Sequence, residues 1–124
     1  MNHRHQYPFE KLNVWQDARK LVKATYEITS SFPQREVYGL TSQTNRAAVS
    51  VAANLAEGSA RYSRKDQARF SEISYGSLME LACLFILGND LGILATDQEN
   101  AMRFSIQNVS AQLNALHRSQ VDRI

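Results

Sequence analysis

Few residues of this 124-residue chain are of types that do chemistry. His3 and His5 stand in an HRH pair near the N-terminus and His117 lies at the far end of the chain, with no His-x-x-x-His spacing. Cys83 is the lone cysteine, so a zinc-type ligand set is not assembled and no metal is expected. Cys83 sits in the apolar run LACLFILG with no neighbouring base to form a thiolate, and reads as a small packed hydrophobe rather than a nucleophile. Neither a nucleophile elbow nor a glycine-rich phosphate cradle is present. Asn54, Glu57 and Glu80 are the polar residues set among apolar ones. A di-metal centre would need Glu-x-x-His pairs, and general acid-base catalysis a paired group at useful spacing; both are missing. These three are therefore expected to form a structural polar network, bonding across helices or capping their ends. No catalytic residue and no cofactor is expected, and the protein reads as non-enzymatic.

Basic residues carry the other chemistry. Arg61, Arg64, Lys65 and Arg69 are interleaved with Tyr62 and Phe70, a pattern able to contact phosphates; its bland alternative is a solvated loop. Cations at the start of a helix oppose its dipole, so this placement is favourable only where something anionic neutralises it. Arg46, Lys20 and Lys23 are further candidates for nucleic-acid contact. The formal net charge of +2 is too small to argue for RNA or DNA alone, so the case rests on the local patch.

Four helices must position these groups. The first is predicted from about Asn13 to Ser31, ahead of Pro33, with Val14, Trp15, Ala18, Leu21, Val22, Thr25 and Thr29 on one face. The second runs from Thr41 or Ser42 to Glu57, where Gly58 supplies a stop; Leu40, Thr44, Ala47, Ala48, Val51 and Leu55 form its main face. The third opens on the capping-box pattern SRKD (63–66) and continues to about Leu91, with the YGS glycine, Gly76, permitting close helix approach. The fourth follows TDQE (96–99), a capping box with Thr96 as cap, and fades near His117 or Arg118. Short connections make an antiparallel up-down four-helix bundle the simplest all-α arrangement. One apolar stripe per helix suffices for such a bundle. The second and third helices carry another, through Val49, Ala52, Ala53 and Ala56 and through Tyr75, Met79, Cys83 and Ile86. Left in water these stripes would be an aggregation hazard, so they are expected to meet between copies in a homo-oligomer.

The length fits one domain over residues 1–124, with tails over 1–10 and 119–124 expected to be flexible. A single cysteine suits a reducing cytoplasm. No secretory signal is read at the N-terminus, and LACLFILG is far shorter than the ~20 apolar residues of a membrane span, so a cytoplasmic protein without a membrane partner is expected.

Three blocks carry a resemblance: FEKLNVWQDA (9–18), FPQREVYGLTSQTNRAAVSVAANLAEG (32–58) and GSLMEL (76–81). They resemble the signature blocks of the four-helix bundle proteins known as 23S rRNA intervening-sequence proteins, some of which are encoded within insertions of the large-subunit rRNA gene. The match runs from about Phe9 to Leu116. Its signature positions here are Trp15, Tyr38, Gly39, Gln43, Arg46, Asn54, Glu57, Gly58, Ser77 and Glu80. The resemblance implies an up-down bundle assembled as a homopentameric ring. It also implies kinship with the accessory variability proteins of diversity-generating retroelements, basic pentamers that bind a reverse transcriptase and nucleic acid. No catalytic site is carried over. The expected function is that of an oligomeric bundle binding nucleic acid, or a nucleic-acid-associated protein, through repeated basic patches. The alternative is a structural scaffold or protein-binding adaptor without nucleic-acid contact.

Overall fold

The computed structural model describes residues 4–124, so His3 lies outside the described residues. Four α-helices span Asn13–Thr29 (α1), Leu40–Ser59 (α2), Arg64–Asp90 (α3) and Thr96–Val121 (α4), with 3-10 turns over Pro8–Lys11 and Gln34–Glu36. Each helix packs on its neighbours in sequence, and α1 closes the bundle against α4. The direction alternates: Ser50 meets Ser77 and Gly58 meets Phe70 across α2 and α3, while Ser71 meets Gln120 and Glu72 meets His117 across α3 and α4. The chain is thus an all-α, up-down four-helix bundle.

The predicted faces of α1 and α2, with one face of α4, supply its core. Ala18, Leu21, Ala48, Val51, Met102, Ile106, Val109 and Leu113 are all buried. On α3 the buried set is wider than periodicity indicates, because Leu78, Ala68 and Ser71 join Leu81, Leu84 and Phe85. Small side chains line the α2–α3 seam, where Ser74 Oγ donates to the Val51 carbonyl at 2.8 Å and the Ser50 and Ser77 hydroxyls lie 2.7 Å apart. Hydroxyls that bond a backbone oxygen or each other let two helices approach closely without leaving a polar group unsatisfied.

Three helix ends and one mid-helix glycine differ from expectation. α2 passes through Gly58 to Ser59, and a Cβ at Gly58 would lie 2.7 Å from Phe70 Cβ. This glycine therefore admits α3 and does not stop α2. Gly76, expected to permit close approach, is exposed, and a Cβ there would meet nothing within 4 Å. α4 is preceded by Ala95, whose N–H donates to Gln98 Oε1 at 3.2 Å; Thr96 instead accepts from Asn89 Nδ2 at 3.1 Å, and Glu99 turns to Arg103. Finally, α4 continues to Val121, a turn beyond the predicted fading point, because Gln120 is buried and bonded to Ser71. The SRKD cap forms as predicted on its first half, with the Asp66 N–H donating to Ser63 Oγ at 3.1 Å.

α3 ends in a Schellman turn: the Ile93 N–H reaches the Gly88 carbonyl at 2.9 Å, the Gly92 N–H reaches Asn89 at 3.0 Å, and Gly92 has φ +73°. Phe9 packs edge-on to Trp15 at 4.7 Å and stacks with Tyr7 at 5.7 Å, extending the α1 face with aromatic rings. The 27-residue α3, which contains LACLFILG, is long and apolar enough to cross a bilayer by length and composition, with an 18-residue window of mean hydropathy 1.4. LACLFILG is one part of that helix, residues 81–88. Here its apolar face is the central wall of the bundle.

Candidate nucleic-acid interface

The α2–α3 connection stands at the end of the bundle where the first 3-10 turn and the last turn of α4 also arrive. Pro8, Gly58, Arg64 and Gln120 line one cleft there. Arg61, Arg64, Lys65 and Arg69 are all exposed at this end, along the loop and the first turns of α3. Arg61 is the most constrained. Its Nη2 lies 3.0 Å from Glu57 Oε1, and its guanidinium rests 4.6 Å from the centroid of the Phe70 ring. Arg69 approaches the same ring at 5.9 Å, and Arg64 Nη1 donates to Gln67 Oε1 at 2.9 Å. Gln67 in turn donates to the Arg61 carbonyl at 2.8 Å, tying the loop to α3. The arginine planes are thus supported by an aromatic ring and carboxamides while their remaining N–H donors face water, an arrangement suited to phosphate oxygens.

The other basic candidates are not part of this cluster. Arg46 is exposed but lies 13 residues before the end of α2, about 20 Å away at ~1.5 Å per residue. Lys20 and Lys23 lie on α1, and Lys20 Nζ is 3.9 Å from Asp17 Oδ1. Arg118 and Arg123, which the sequence reading omits, reach the basic end because α4 runs to Val121. The signal for them was the length of the α4 pattern, which the polar residues after Leu116 concealed.

Of the three polar residues, Asn54 donates to the Ser50 carbonyl at 2.8 Å and to Ser50 Oγ at 2.9 Å within α2, beside the Ser50–Ser77 contact. Glu57 and Glu80 are exposed and take no part in it. Glu57 pairs with Arg61 on its own side of the bundle. Glu57 follows a run of alanines on α2 and Glu80 lies between Met79 and Leu81 on α3, yet both carboxylates face outward. The alanines nearest Glu57 line a groove beside α1 that leaves Ala53 exposed and Ala52 and Ala56 half-buried. Among the described residues, no three His, Cys, Asp or Glu side chains gather as metal ligands.

The outward apolar residues separate onto two sides. Val49, Ala52, Ala53 and Ala56 join Phe9, Trp15 and Val22 around an α1–α2 groove of about 350 Å³. Met79 and Ile86 join Ala82, Phe85 and Ile106 around an α3–α4 groove of about 160 Å³. Tyr75 lines a separate hollow with Leu113 and His117. Cys83, read from sequence as packed, is exposed on the outer side of α3, because its neighbours Leu84 and Phe85 take the core positions.

Residues 10–115, most of the chain, match the family described as 23S rRNA-intervening sequence protein. The chain belongs to that family. No curated protein matches it. Among the family's signature positions as they occur here, Gly58 and Ser77 lie on the α2–α3 seam, while Trp15 lines the α1–α2 groove. Tyr38 and Glu80 are exposed. As a member of the 23S rRNA-intervening sequence protein family, the chain is a small helical bundle, and the residues that carry its resemblance lie both on the surface and in packing seams.

Proposed function

We propose that the protein is a non-enzymatic, cytoplasmic homo-oligomer, a ring and by family resemblance a pentamer, that presents its basic bundle ends to nucleic acid or to a nucleic-acid-associated protein such as a reverse transcriptase. The observation that carries the nucleic-acid reading is the gathering of Arg61, Arg64, Lys65 and Arg69 at one end, exposed, with Arg61 alone of the four paired to a carboxylate among the described residues. They stand at the N-terminus of a 27-residue helix, where their charge opposes the dipole and an anion would relieve it. The assembly reading is supported by the two apolar grooves on different sides of the bundle. Contact between unlike faces of successive copies generates closed rings when the rotation permits. A ring would align every basic end on one rim and multiply a modest patch.

Binding of this kind weakens steeply with salt, since phosphate contacts release counterions. Anisotropy titrations of structured RNA and duplex DNA at several salt concentrations should give a steep negative slope. Arg64→Gln and Lys65→Gln should each lower affinity for all sequences alike and reduce that slope by about one. An absence of salt-sensitive binding at micromolar protein would leave the second reading, a scaffold or adaptor whose α1–α2 groove takes a partner helix. The observation favouring that reading is the groove itself, apolar and walled by small alanines. Recovery of one stoichiometric protein after nuclease treatment would select it.

A further inference from the structure

We propose that the basic end takes a single strand of nucleic acid, stacking one base on Tyr62 and lodging another, unpaired, in the adjoining cleft. This rests on the nucleic-acid reading above and specifies its substrate. Tyr62 lies between Arg61 and Arg64 in the loop joining α2 to α3, and its side chain is fully exposed. A tyrosine ring wholly in water contributes no burial to the fold, yet flanked by cations it offers the platform on which single-stranded bases stack. Its support is fixed beforehand, because Gln67 holds the Arg61 carbonyl at 2.8 Å and Arg61 is pinned between Glu57 and Phe70.

Beside this loop is a cleft of about 240 Å³, with Leu55 and Leu116 among its apolar walls and Asn54, Gln67 and Gln120 among its polar ones. Gln120 is only 7% exposed; its Oε1 accepts from Ser71 Oγ at 2.7 Å, and its Nε2 has no partner among the described residues. Asn54 commits its Nδ2 to Ser50, leaving its Oδ1 as an acceptor. A free donor and a free acceptor between apolar walls suit the hydrogen-bonding edge of a planar heterocycle. The volume is below the ~300–1,000 Å³ of sites for drug-sized ligands, which fits one ring system. In a duplex that edge is already paired and stacked, so the cleft selects unpaired bases.

The test compares a single-stranded RNA, the same RNA annealed to its complement, and an abasic strand of equal length, by fluorescence anisotropy. The single strand should bind at least tenfold more tightly than either of the others. Tyr62→Ala should cost the single strand about tenfold and leave the duplex unchanged, while Tyr62→Phe retains binding. Gln120→Leu should likewise weaken only the single strand. Equal, salt-sensitive binding of all three probes, or indifference to Tyr62→Ala, overturns the single-strand proposal and leaves the phosphate reading standing. Loss of binding to every probe overturns both.

Discussion

At Gly58 a methyl group would lie 2.7 Å from Phe70 Cβ, whereas at Gly76 it would meet nothing within 4 Å. Neither glycine has a positive φ, so backbone strain does not distinguish them. Alanine gains about 1 kcal/mol over glycine in a helix interior, and overpacking typically costs about 1–3 kcal/mol. Gly76→Ala should therefore raise stability by about 0.5–1 kcal/mol, and Gly58→Ala should lower it because Phe70 is tethered to α3 through its Cβ. Urea denaturation of the two variants checks both signs. The sequence marks both glycines but reverses their roles, since composition records that a side chain is missing and not what faces the gap. The same blindness applies to Glu57 and Glu80, read as members of a polar network but exposed on the single chain.

Among the elements, α1 and α4 are joined by a polar clamp. Asp17 Oδ2 accepts from Gln112 Nε2 at 2.6 Å and from Asn108 Nδ2 at 3.1 Å. The Gln112 bond holds the Asp17 carboxyl below its ordinary pKa, with help from Asn108 and Lys20, while burial pulls the other way. A carboxyl depressed in the folded state contributes stability that is full above its unfolded pKa and is lost as pH falls through the folded value. Asp17→Asn removes the titrating group while keeping an acceptor in place. Thermal melts between pH 5 and pH 2.5 should show a shallower acid loss for this variant than for the native chain. Coincident acid limbs would mean that the α4 amides do not sense the charge. The helices were legible because their buried faces repeat with helical spacing, from Val14 to Thr29 on α1 and from Met102 to Leu113 on α4. The last turn of α4 was not, because a buried glutamine bonded to a serine 49 residues earlier leaves no periodic trace.

For the whole molecule, the decisive feature is that apolar grooves open on two of its sides. Ala53 is exposed on the α1–α2 groove, so a glutamate there leaves the single bundle intact. In an assembly it would bury an unpaired charge, a cost of several kcal/mol. Light scattering after gel filtration should find the native chain oligomeric at micromolar concentration and Ala53→Glu monomeric with an unchanged helical circular-dichroism spectrum. A native monomer would sink the assembly reading.

Pro8 and Gln120 line the same cleft, so the first 3-10 turn and the last turn of α4 meet at one place. A short linker joining these two points, with the backbone reopened at the exposed Gly92 turn, would yield a circular permutant with the same four helices. Its ends would emerge from the opposite pole. Tags on the permutant would therefore leave the surface of Arg61, Arg64, Lys65 and Arg69 clear.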